Sequence, residues 1–203
     1  MKHKIQKGFT LIELLVVIAI IAILAVVVVL TLNPAQLLAQ ARDSNRISDF
    51  ATLKSALALY GTDVATATPM NGGAGTFGLG AYALYTATGA STTTSSYETI
   101  ATWGFLGSET SVTTTALRSV NGLGWIPVNL SAISSGAPIS VLPVDPVNSA
   151  PNFYVYAAST TYFKLATKME STKYQLNGAS DVVSADGGNS STTYEQGSNL
   201  TTL

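Results

Sequence analysis

Glu13 is the only charged side chain in the 24 residues from Phe9 to Leu32, a stretch that is otherwise almost wholly apolar. A carboxylate at the centre of a lipid-spanning helix costs on the order of 2.5–3.5 kcal/mol on insertion scales, so an acid retained there calls for a partner. The chemistry open to it is charge pairing. A free α-amine, with a reference pKa of about 7.7–8.0, is cationic at neutral pH and supplies such a partner. The alternative is that Glu13 reaches back to the headgroups from about a turn inside the membrane edge.

Other reactive residue types are scarce. The single histidine, His3, lies ahead of the apolar run, and there is no cysteine. That excludes disulfides, thiolate metal sites and cysteine nucleophiles together. No paired-carboxylate motif is present. Asn71 to Gly80 is glycine-rich but lacks the lysine and the strand–helix context of a phosphate loop. The C-terminal stretch carries Asp181, Asp186, Gly187, Gly188, Asn189 and Glu195. These oxygen donors suit a hard cation but follow no EF-hand spacing, and a solvated loop has the same composition.

At about 1.5 Å per residue, Phe9–Leu32 as a helix covers ~36 Å, enough for a hydrocarbon core of roughly 30 Å. Lys2, His3, Lys4 and Lys7 precede it. Basic flanks stay inside, which puts the N-terminus in the cytoplasm and the chain after Leu32 outside. A secretory signal peptide is the rival, with Ala39-Gln40-Ala41 as a cleavage mimic, but its apolar region runs only about 7–15 residues.

The run Lys7-Gly8-Phe9-Thr10-Leu11-Ile12-Glu13 and the unbroken apolar residues after it resemble the processing and methylation segment of type IV pilins and type II secretion pseudopilins. The resemblance implies that a membrane-embedded aspartyl peptidase cuts after Gly8 and methylates the new terminus, Phe9. It assigns Glu13 to the α-amino group of a neighbouring subunit during assembly. It implies an α+β fold, with a long N-terminal helix packed on a C-terminal antiparallel β-sheet. The expected organisation is a leader over 1–8, a transmembrane and assembly helix over 9–34, an amphipathic helix over 35–60, and a loop and antiparallel sheet over 61–203. Pro34 matches the family's helix-breaking proline, or else marks the membrane exit. Major pseudopilins hold calcium in a C-terminal loop, which makes Asp181, Asp186 and Asn189 the candidate ligands. No other cofactor is expected.

Ile47, Phe50, Leu53, Leu57 and Tyr60 form a helical stripe for docking on the sheet. Arg42, Asp43, Arg46, Asp49 and Lys54 fall mostly off it, and the Asp43–Arg46 and Arg46–Asp49 spacings read as exposed pairs worth a few tenths of a kcal/mol. Gly61 is the expected C-cap. As one helix, 9–60 would measure about 78 Å and form a stalk. Tyr82, Leu84 and Tyr85 suggest a short element. Trp103-Gly104-Phe105-Leu106 and Trp125-Ile126-Pro127-Val128 read as core patches. Asp145-Pro146 resembles the turn before the main hairpin of major pseudopilins. Phe153–Ala157 and Tyr162–Thr167 form that hairpin, with Tyr154, Tyr156 and Tyr162 shared between its faces. Residues 177–203 read as a polar tail. Asn129, Asn189 and Asn199 each head a glycosylation triplet.

After loss of 1–8 the side chains would number 7 basic and 11 acidic. With no basic stripe, nucleic-acid binding is not expected. The expected role is that of a structural subunit and not an enzyme, anchored in the inner membrane and polymerised into an extracellular or periplasmic filament. The expected partners are copies of itself, prepilin peptidase, assembly machinery and, before assembly, lipid. A major-type pseudopilin is the alternative.

Overall fold

The computed structural model describes residues 8–64, 70, 83–86, 108–110, 117–149 and 151–201, with backbone alone at 30, 83–86 and 108–110. The leader ahead of Gly8, the glycine-rich 71–80 stretch, Tyr82 and the Trp103 patch lie outside these residues. The chain divides into two units, Met1–Leu38 and Ala39–Leu203.

In the first unit, α1 runs Leu11–Leu32. Its described side chains, all but that at position 30, are exposed and almost all apolar, the pattern of a helix made for lipid or for other helices. Its last polar group is already satisfied, since the Thr31 hydroxyl donates back to the Val27 and Val28 carbonyls, at 3.0 Å each. Asn33 then adopts the left-handed conformation, φ 41°, and the next helix starts at Pro34. Proline suits a first helical position, where its missing N–H is not needed. The Asn33 carbonyl accepts from Gln36 N and Leu37 N, so Asn33 ends one helix and begins the next. The helical stretch from Leu11 to Asp63 is thus two helices divided at Asn33, beside the proline expected to break it, and the left-handed residue is Asn33.

The second helix, α2, spans Pro34–Asp63. It passes Gly61, which is not its C-cap. The gap beside that glycine is filled by the Met70 side chain, whose Cε would lie 2.7 Å from an added Cβ. The stripe packs as read: Phe50, Leu53, Leu57 and Tyr60 are fully buried, with Ile47 at the margin. Each such side chain contributes about 1.5–3 kcal/mol of transfer energy.

Five strands form one sheet in the order β2-β1-β3-β4-β5, with β1 Ala83–Thr86, β2 Ser108–Thr110, β3 Val155–Ala158, β4 Phe163–Thr167 and β5 Tyr194–Gly197. The sheet is antiparallel except at β2, which pairs parallel to β1. The β3–β4 hairpin is the one expected. Tyr154 and Tyr156, two residues apart, both face the helix, while Tyr162 is exposed. Phe50 packs edge-on to Tyr154 at 5.0 Å and stacks on Tyr194 at 5.9 Å. Trp125 completes this core, 5.9 Å from Tyr154, and its indole N–H donates to the Pro143 carbonyl. The segment read as a polar tail contains β5, whose Tyr194 closes the aromatic cluster.

Candidate functional site

Gly8, Phe9 and Glu13 sit at the exposed start of α1. An added Cβ at Gly8 would meet nothing within 4 Å, so packing within the subunit does not demand glycine there. Phe9 is 86% exposed. Thr10 caps the helix: its backbone N–H and its hydroxyl donate to Glu13 Oε2 at 2.8 and 2.7 Å, and Glu13 N–H donates to Thr10 Oγ1 at 3.3 Å. This is a capping box, and the Thr10-Leu11-Ile12-Glu13 spacing carries its sequence signal. The isolated subunit thus gives Glu13 a local, uncharged partner in Thr10, in addition to any cationic one. Both donors from Thr10 land on Oε2, which leaves Oε1 open to a further partner among the described residues.

The second unit buries two ion clusters. In the first, Arg46 is fully enclosed. Its Nε and Nη2 donate to Asp145 at 2.6 and 2.9 Å, Nη1 to Asp43 at 2.8 Å, and Nη2 also to Glu170. Asp43 accepts in addition from Glu170 N, Ser171 N and Ser171 Oγ. Asp145 accepts from Val147 N and Asn148 N just past the Asp-Pro turn. Arg42 forks onto Glu170 from the rim. The pairs expected to be exposed along this helix are not: Asp43–Arg46 is buried, and Asp49 meets Tyr154. Asp43 and Arg46 are both buried, because the 145 connection and the chain after β4 fold over them. Asp49 faces Tyr154, whose hydroxyl donates to it at 2.7 Å. Burial pushes the Asp49 carboxyl up, although the Tyr154 hydrogen bond opposes this. Burial also acts to raise Glu170, but the Arg42 and Arg46 hydrogen bonds win and hold it below the usual carboxylate range.

The second cluster holds two of the three candidate calcium ligands. Lys164 and Glu195 are fully buried, with Nζ 2.6 Å from Oε1, inside ion-pair distance but off the line of a hydrogen bond. Lys164 Nζ also donates to Asn189 Oδ1 at 2.9 Å and to the Leu200 carbonyl at 3.1 Å. Asp186 accepts from Gly188 N and Glu195 N, each at 2.7 Å, and burial pushes its carboxyl up. Asp181 serves its own turn, accepting from Asn177 N, Val183 N, Ser184 N and Ser184 Oγ. These N–H bonds hold its exposed carboxyl low, that from Ser184 foremost. Among the described residues no three His, Cys, Asp or Glu side chains cluster as a metal centre would need. As arranged, Asp181, Asp186 and Asn189 do not fit a calcium ion, because their oxygens already face N–H donors and an ammonium lies against Asn189. Of the other glycosylation triplets, Asn129 caps a short 3-10 turn through Ser131 N, and Asn199 accepts from Thr201 N.

The model for the prokaryotic N-terminal methylation motif matches residues 3–29. This is the prepilin-type signal, so the chain has the N-terminus of a type IV pilin-like or pseudopilin precursor. The motif implies processing by prepilin peptidase and filament assembly, and it points to a structural subunit. The apolar α1 is compatible with a membrane-anchored precursor. No curated protein and no solved structure matches the chain.

Proposed function

We propose that this chain is the building subunit of an extracytoplasmic type IV pilus-like filament, cut between Gly8 and Phe9 and polymerised through α1. The observation that carries the proposal is the match over 3–29 leading into a helix whose apolar side chains are exposed all round. Such a surface must be covered by lipid or by other helices. Glu13 then has two successive roles. Before assembly Thr10 satisfies one of its carboxylate oxygens. During assembly the methylated α-amine of a neighbour's Phe9 meets the other oxygen and neutralises the charge as lipid is displaced. The ion pair must offset the desolvation of both groups, which makes it selective for register more than a source of raw stability. No enzymatic role is needed for this reading.

Mass spectrometry of the mature chain tests the processing step, with an N-terminal methylated Phe9 as the expected result. Gly8→Leu should leave an uncut, membrane-bound precursor, because nothing in the subunit's own packing is disturbed by a side chain there. Electron microscopy of sheared surface material tests the assembly, with fibres containing the chain as the expected result.

The alternative, a major-type pseudopilin, draws on one observation. Asp145 of the Asp-Pro turn is the buried anchor that ties the connection before the hairpin to α2. Confinement of the subunit to the periplasm, with protein secretion lost on its deletion, would favour that role over a surface fibre.

A further inference from the structure

We propose that Lys164, Asn189 and Glu195 form an intramolecular isopeptide bond, joining Lys164 Nζ to Asn189 Cγ with Glu195 as the catalytic acid–base. The nucleophile and the carboxylate are both fully buried, on the strands β4 and β5. They project from one face of the sheet: Ala166 pairs with Glu195 and Lys164 with Gly197, so Lys164 and Glu195 are diagonal neighbours. Gly197 brings no side chain between them. The electrophile comes from the loop before β5, with Asn189 Oδ1 2.9 Å from Nζ.

The loop is pinned on both sides of Asn189. Gly188 N–H donates to Asp186, and Asp186 in turn accepts from Glu195 N. Ser190 N–H donates to Glu195 Oε2 at 3.3 Å. A Cβ at Gly188 would run into the Glu195 carboxylate, so the loop lies directly against the acid. Holding amine and amide in this way turns their reaction into a unimolecular one.

The atoms balance without a co-reactant. The Lys164 ammonium passes a proton to Glu195, and the resulting amine attacks Asn189 Cγ. Glu195 hands its proton to Nδ2 and takes one from the attacking nitrogen. The Cγ–Nδ2 bond then breaks, ammonia leaves, and Glu195 ends protonated. Asn189 is exposed as a residue while Lys164 is not, so the leaving nitrogen has a path to water. The product also removes a buried charge pair, whose desolvation is costly. In a chain without cysteine, the bond would fasten the loop that leads into β5 covalently to β4. This cross-link does not depend on the filament reading, because it forms within one subunit.

Intact-mass and tryptic peptide analysis of the detergent-extracted full chain tests it. Once N-terminal processing is allowed for, the expected mass is lower than the sequence value by one ammonia. Trypsin should fail at Lys164, giving a branched peptide that joins Ser119–Lys168 to the peptide beginning at Tyr174. Asn189→Ala, at an exposed position, and Glu195→Gln should each restore the full mass and cleavage at Lys164. A wild-type chain of full mass overturns the proposal. So does ammonia loss with Lys164 still cleaved, since that would be cyclisation at Asn189 alone. A branched peptide persisting in Glu195→Gln would overturn the role given to Glu195.

Discussion

Asp145 grips Arg46 with both carboxylate oxygens, at 2.6 and 2.9 Å, and neither side chain has any exposed surface. The contact fastens the middle of α2 to the connection that feeds the hairpin. Asp43 and Glu170 take further N–H groups of the same guanidinium. A buried ion pair adds little net stability compared with an apolar pair, but removing Asp145 leaves Arg46 with buried N–H groups that have lost their acceptor and with less opposing charge. Asp145→Ala should therefore cost about 3–5 kcal/mol, seen as a lower denaturant midpoint for the full chain in detergent. A change below 1 kcal/mol would mean that water reaches Arg46.

Two groups of this region should give stability a maximum in mild acid. Asp49 is raised by burial, so its ionised form opposes folding, and stability is gained as pH falls through its elevated folded value. Glu170 is lowered: burial works against it, but the hydrogen bonds of Arg42 and Arg46 prevail. Its contribution is fully present above its unfolded value and is lost as pH falls through the depressed folded value. The melting temperature should rise slightly from neutral pH to just above the ordinary carboxylate range and fall below that range. Asp49→Asn should weaken the rising limb, leaving the part that comes from Asp186, which burial also raises, and should leave the fall unchanged.

Glu13→Gln separates two roles of one side chain. Glutamine can still serve the capping box with Thr10, but it carries no charge. Helix formation, insertion and cleavage should persist. Filament yield should drop more than tenfold, since a loss of ~1.4 kcal/mol per subunit contact is already a factor of ten. Wild-type yield from this variant would show that capping, and not charge, is what Glu13 contributes.

Gly188→Ala places a methyl group against the Glu195 carboxylate. The acid is enclosed and cannot swing clear, so the loop must shift. A loss of about 1–3 kcal/mol is expected, the usual range for overpacking, read as a lower melting temperature. An unchanged value would show that the loop is looser against β5 than the geometry implies.

Phe50→Ala should cost about 3–5 kcal/mol, because Phe50 is fully buried between Tyr154 and Tyr194 and the ring contacts would be lost with the volume. Chemical denaturation checks this, with Leu59→Ala on the exposed side of α2 as the comparison.

The sequence by itself determined the features that live in short windows. The signal around Gly8 and Glu13, the apolar length of α1, the stripe from Ile47 to Tyr60 and the β3–β4 hairpin each repeat at a local period or spacing. The Thr10–Glu13 capping box is equally local, since its Thr-x-x-Glu spacing lies within four residues. Tertiary structure decided the rest. Asp43 and Arg46 have the same i,i+3 spacing whether they face water or a core, and only the arrival of Asp145 and Glu170 from distant chain buries them. The strand β5 is polar in sequence because one of its faces carries Glu195 for Lys164, a pairing that no local pattern encodes. Burial is a property of what folds over a residue, and that covering chain lies far away in sequence.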